Sequence, residues 1–204
     1  MNGYLIPAQT HRSELMIVNS RFITSVGFAP AVDDAKAFIT TIRTEMPDAT
    51  HHVYAFRVGY GNSVTEGMSD DGEPSGTSGP PVLAVLRGRD IGDIVTVVTR
   101  YFGGTKLGTG GLVRAYTDSA RQALDTLPVI RKIKRSLVGI DLPYPFFEQV
   151  KRLIAQHEGT IDEETFAADV TILATFPDDS IEPFSYALSE LTAGSIQPVV
   201  LGDA

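Results

Sequence analysis

From Val95 the chain reads Val95-Thr96-Val97-Val98-Thr99-Arg100-Tyr101-Phe102-Gly103-Gly104-Thr105-Lys106-Leu107-Gly108-Thr109-Gly110-Gly111-Leu112-Val113-Arg114-Ala115-Tyr116. The chemistry that such spacing suits is the capture of an anion. Gly103, Gly104, Gly108, Gly110 and Gly111 let the backbone approach a ligand, and a helix beginning near Gly110 aims its free N–H groups and positive dipole end at the same space. Arg100, Lys106 and Arg114 add positive charge, Thr109 adds a hydroxyl, and Tyr101 and Phe102 offer rings on which a base could stack. The stretch has neither the G-x-x-x-x-G-K-[ST] spacing nor a G-x-G-x-x-G directly after its strand. A phosphate site and a plain tight strand-to-helix crossing both satisfy it.

A second group of chemically capable residues precedes this stretch. Asp70, Asp71 and Glu73 place three carboxylates within four positions, a set that could hold Mg²⁺ or Ca²⁺ or remain solvated. Ser75 and Thr77 share their segment, and the run from Ser69 to Pro81 contains no large apolar side chain. It is therefore expected at the surface, as a binding loop or a merely mobile one. His51 and His52 are adjacent, and on a strand they point to opposite faces, so one ion cannot easily take both. One of them could serve as a base near Asp70, or both could be structural at the strand entry. With no cysteine and no G-x-S-x-G elbow, thiolate chemistry is excluded and hydrolase chemistry is unsupported. No catalytic residue and no cofactor are assigned.

The elements that must position these residues follow from periodicity. Leu15 to Val18 and Phe22 to Phe28 read as strands, and Asp33 to Met46 as a helix with Ala35, Phe38, Ile39 and Ile42 at helical spacing. His52 to Tyr60 and Ser63 to Met68 read as a hairpin across Gly61-Asn62. Pro80-Pro81 starts a short helix through Leu86, Ile94 to Phe102 is a central strand, and Gly110 to Leu127 is a long amphipathic helix. After Pro128 the order strand, helix, two strands, helix, strand predicts a βαββαβ, ferredoxin-like domain. The last strand is expected over Ser195 to Leu201.

Composition sets outer limits. The chain of 204 residues carries a net charge of −8, divided as −2 over residues 1–128 and −6 over residues 129–204. A generic nucleic-acid binder is basic, so any such contact here must be local. No apolar run reaches the ~18 residues of a membrane span, and no basic-then-apolar leader opens the chain. No membrane partner and a cytoplasmic location are the expectation.

Four blocks carry a family resemblance: Ser20-Arg21-Phe22-Ile23, His51-His52, Ser69-Asp70-Asp71-Gly72-Glu73-Pro74-Ser75-Gly76-Thr77 with Gly79, and Arg100 through Tyr116. In this order they resemble the IMPACT family in its bacterial, YigZ-type branch, over nearly the whole chain. The resemblance implies an α+β protein of two domains. Residues 1–128 would form a ribosomal-protein-like α/β domain similar to the fourth domain of elongation factor G. Residues 129–204 would form a ferredoxin-like domain similar to that factor's fifth.

It further implies a non-enzymatic, translation-linked regulator whose partner is RNA, the ribosome or a translation-associated protein. Phosphate or nucleic acid would then be held by Arg100, Tyr101, Gly103, Gly104, Lys106, Gly108, Thr109, Gly110, Gly111 and Arg114. Asp70, Asp71, Glu73, Ser75 and Thr77 would close over the site, with His51 and His52 as accessories. Where family members carry a basic residue this chain has Pro80, which makes the expected site less cationic. The alternative is an enzyme using the same cleft on a small-molecule phosphate or nucleotide, with Mg²⁺ at Asp70 and Asp71.

Overall fold

The computed structural model describes residues 3–61 and 63–203, so the hairpin turn expected at Gly61-Asn62 lies partly outside the described residues. In chain order the elements are β1 (Gly3–Pro7), β2 (His11–Ile17), β3 (Ser20–Phe28), α1 (Val32–Glu45), β4 (His51–Tyr60), β5 (Ser63–Ser69), α2 (Gly79–Arg87), β6 (Ile94–Tyr101), α3 (Gly108–Asp125) and β7 (Val129–Ile133). There follow β8 (Arg135–Leu142), α4 (Phe147–Gln156), β9 (Thr160–Phe166), β10 (Val170–Pro177), α5 (Asp178–Leu191) and β11 (Val199–Asp203). The chain divides into two compact units, with Tyr4–Arg131 as one and the segment from Lys132 as the main body of the other.

The first unit is built on a five-stranded sheet of order β2-β3-β6-β4-β5, antiparallel at every pairing. Its central strand, β6, is covered on both faces, which is why Val95, Val97 and Val98 sit in a run without polar alternation. On one face Ile39 and Ile42 of α1 join Val95 and Val97 in a common core. On the other, Val82 and Leu86 of α2 and Leu112 and Tyr116 of α3 pack with Phe22, Val53 and Val98. Strand alternation consequently sends Arg100 toward α3 and Tyr101 toward α1.

In the second unit the sheet order is β11-β8-β10-β9, again antiparallel throughout. Val150 and Ile154 of α4 and Phe184 and Leu188 of α5 complete one core with Val138, Ile140, Ile172 and Ala174. This is the expected βαββαβ order. Strands β1 and β7, which pair as a two-stranded sheet, are not foreseen by the periodicity. The last strand starts at Val199 rather than Ser195 because Ile196 is drawn into the core and its N–H donates to the Thr192 hydroxyl that follows α5.

Candidate functional site

Arg100 ends the buried part of β6 with only 4% of its surface exposed, beside Glu73 at 8%. A cation held there needs a compensating anion. Its Nη1 donates to Glu73 Oε1 at 2.6 Å, and the Tyr116 hydroxyl of α3 donates to the same oxygen at 2.7 Å. Burial, and next the adjacent Glu73 carboxylate, push the Tyr116 phenol far above its usual range, so it serves only as a neutral donor. Nη2 of Arg100 donates to Ser20 Oγ at 3.3 Å, while Nε is buried without a partner among the described residues. The guanidinium lies 5.5 Å from the ring centroids of both Phe22 and Phe102.

The glycines after β6 have distinct causes. A Cβ on Gly103 would stand 1.9 Å from the Asn19 carbonyl oxygen, so this position is fixed by close approach to the β2–β3 turn, and its N–H donates to Ser20 Oγ. Gly104 and Gly108 have φ of +84° and +70°, a region that side chains disfavour. Around Gly110 a Cβ would meet open space, and nothing in the packing requires glycine there. The helix begins at Gly108 with no side-chain cap and no acid in its first turn. Its first residues border a cleft of about 320 Å³ lined by Glu73, Pro74, Arg100, Phe102, Lys106, Leu107, Gly108, Thr109 and Leu112.

The loop after β5 is pinned rather than loose. Asp70 Oδ1 accepts the N–H groups of Ser78 and Gly79 at the start of α2, and its Oδ2 accepts that of Gly76. Asp71 accepts the His52 backbone N–H and pairs with Arg43. Both carboxylates are engaged by the protein's own donors. No cluster of three or more acidic or histidine side chains that could hold an ion occurs among the described residues. Thr77 Oγ1 donates to the Pro74 carbonyl and Ser75 is exposed, so neither lines the cleft. Only Glu73, with its neighbour Pro74, reaches it.

Other expected members separate likewise. Tyr101 packs on the α1 side, where its hydroxyl donates to Asp48, and it is not among the residues lining the cleft. Phe102, 45% exposed, takes the aromatic position instead. Arg114 is exposed on α3 and lies outside the cleft lining. His51 stands opposite Arg100 across the β4–β6 pairing. Its Nδ1 bonds the Asp71 carbonyl at 2.7 Å, an acceptor, which leaves Nε2 facing Glu73 at 3.9 Å. His52 turns to the other face and meets Thr99 Oγ1 at 3.1 Å. Burial, opposed by the nearby Asp71 charge, holds its imidazole below the ordinary value.

Ser20, Pro74, Leu107, Leu112 and Tyr116 are the residues the motif reading missed. Tyr116 sits on the apolar stripe of α3, where periodicity assigns it to the core and says nothing of its hydroxyl. The site is thus a neutral buried set of Arg100, Glu73 and Tyr116 beneath a surface made by Lys106, Phe102 and the open end of α3. An anion would meet Lys106 and the helix N–H groups before it met Arg100.

Residues 18–124 match the Impact N-terminal domain, and residues 140–195 match a domain of unknown function, DUF1949. The IMPACT family member YigZ of Escherichia coli is 39% identical over 198 residues, which is 97% of both chains. An IMPACT family member of Haemophilus influenzae is 39% identical across 96% of both chains. A crystal structure described only as that of a hypothetical protein superposes with a TM-score of 0.73, at 39% identity over 98% of each chain. No helix among the described residues is long and apolar enough to cross a membrane. Because the N-terminal match takes in the Arg100–Glu73 pair and the open end of α3, and the relatives align over nearly their full length, this chain belongs to the IMPACT family.

Proposed function

We propose that the chain is a translation-associated regulatory protein that holds a phosphate group of RNA, the ribosome or a translation-linked partner at the start of α3. The reading rests on one observation. An uncapped helix end without first-turn acids opens on a cleft beside the exposed ring of Phe102 and Lys106, which makes no ion pair among the described residues. Backbone N–H groups and the dipole favour an anion there, and the ring gives a base or sugar a face to lie against. The likeness of the two units to the fourth and fifth domains of elongation factor G, implied by the family resemblance, belongs to the same proposal. The reading of a Mg²⁺-dependent enzyme has less support, since Asp70 and Asp71 are occupied by backbone donors and Arg43.

The test is Gly110→Asp, alone and with Lys106→Gln. The open space around Gly110 accepts the side chain, and a carboxylate in the first turn adds about 0.3–1 kcal/mol of helix stability. The urea midpoint should hold or rise while co-sedimentation with ribosomes and crosslinking to RNA fall at least tenfold. Unchanged binding by both variants would refute the reading, because stability loss could not be blamed for either result.

A further inference from the structure

The anion site uses only the first turn of α3, yet the charge pattern of the unit continues along the helix. Of the twelve Lys and Arg side chains in Tyr4–Arg131, eight stand against a carboxylate and Arg131 is otherwise engaged. The three that make no ion pair among the described residues are Lys106, Arg114 and Arg121, and all three lie on α3 or the turn leading into it. Arg114 and Arg121 are exposed. Seven residues apart, they leave the helix on one side, about 10 Å from each other along its axis. That side is opposite the buried stripe of Leu112, Tyr116 and Ala123. Gly110, four residues before Arg114, lies on it too.

We infer that α3 is a track for the backbone of single-stranded nucleic acid, RNA in the setting proposed above. One phosphate sits at the helix start beside Lys106, later phosphates sit at Arg114 and Arg121, and Phe102 provides a stacking face at the same end. The inference rests on the reading of the α3 terminus and extends it from one group to a strand of several nucleotides. A row of separated cations ending at an exposed ring is the arrangement that reads a strand without regard to sequence. An acidic peptide would want apolar contacts between the cations, whereas Thr117 and Asp118 occupy that interval. Duplex RNA fits less well, since its deep major groove closes to side chains. Asp118 forms no ion pair with either arginine among the described residues, and it stands within one turn of both, where it weakens the track.

The experiment is fluorescence anisotropy of a labelled oligouridylate of about twelve nucleotides with the full chain, between about 50 and 200 mM salt. Each phosphate contact contributes about 0.7 to the slope of log affinity against log salt for single strands, so three give a slope of about −2. Arg114→Gln with Arg121→Gln should reduce it to about −0.7 and weaken binding at least tenfold, with the urea midpoint unchanged. Asp118→Asn should tighten binding. Uridine monophosphate, which reaches only the helix start, should compete equally well with wild type and the double variant and poorly with Lys106→Gln. If the double variant keeps the wild-type slope while Lys106→Gln loses affinity, the track is wrong and the single phosphate site stands. If wild type binds neither probe, both fall. Binding of a polyglutamate peptide in place of the oligonucleotide overturns the nucleic-acid assignment.

Discussion

Replacing Glu73 by glutamine tests whether the buried charge pair is a fixed part of the fold or a cation held in reserve for a ligand. The carboxylate takes hydrogen bonds from Arg100 at 2.6 Å and Tyr116 at 2.7 Å, and both pair members are nearly sealed from water. The amide of Glu73→Gln would keep a carbonyl for Tyr116 but leave the Arg100 charge without an anion, with Ser20 Oγ its remaining hydrogen-bond acceptor. Breaking one partner of a buried pair costs about 3–5 kcal/mol. With a urea slope of about 2 kcal/mol per molar, the midpoint of the first unit should fall by about 2 M. Arg100→Met should cost a similar amount, whereas the double variant should recover at least about 2 kcal/mol of the summed loss. The chain has no tryptophan and five of its seven tyrosines lie in Tyr4–Arg131, so near-ultraviolet circular dichroism during urea titration reports on this unit. Inorganic phosphate should raise the midpoint of Glu73→Gln more than that of wild type, because only the variant presents an uncompensated guanidinium at the cleft. Single losses below about 1 kcal/mol that simply add in the double variant would show that the pair is not desolvated as described.

Two further predictions separate packing from titration. Gly103→Ala forces a Cβ against the Asn19 carbonyl and should cost about 1–3 kcal/mol in a urea titration; a variant as stable as wild type would mean that the β2–β3 turn yields freely. For His52, burial lowers the folded-state pKa despite the opposing charge of Asp71, so the unfolded chain binds the proton more readily. The stability this contributes is complete above about pH 6.5 and is lost as the pH falls from there through the folded value. His52→Asn should flatten that dependence, and equal slopes of midpoint against pH in the two proteins would disprove it.

How much of this was legible follows from the range of each interaction. The β-branched run of β6 and the spacing of Ala35, Ile39 and Ile42 in α1 are local signals, and both elements stand where those signals put them. The glycine turn was legible as a turn, although only the position of Asn19 distinguishes Gly103, fixed by a collision, from Gly110, fixed by nothing in the packing. Alternation along β6 already places Arg100 and Tyr101 on opposite faces of the sheet, and the structure has them there. The partner of Arg100 was not legible. Glu73 lies 27 positions away in a loop whose composition reads as solvated, and only the tertiary fold closes that distance. Asp70 hid its role for a similar reason: it serves the start of α2 from eight and nine residues upstream, beyond the adjacent position where a capping residue is sought.

The acidity of the chain and a phosphate-binding α3 are compatible because the two act at different ranges. At physiological ionic strength the screening length is about 8 Å, so any acid farther than that from α3 acts weakly on a phosphate touching it, whatever it adds to the net charge of −8. What such a phosphate feels is which neighbouring cations already have partners. Arg100 is neutralised by Glu73, and Arg89 by Asp125, which removes the most deeply placed and the laterally placed arginines from competition. Lys106, Arg114 and Arg121 keep their charge for whatever meets the helix. On the proposed reading, specificity for an anion would come from where the fold has placed its acids as much as from where it has placed its bases, and Asp118 marks the point at which that separation is incomplete.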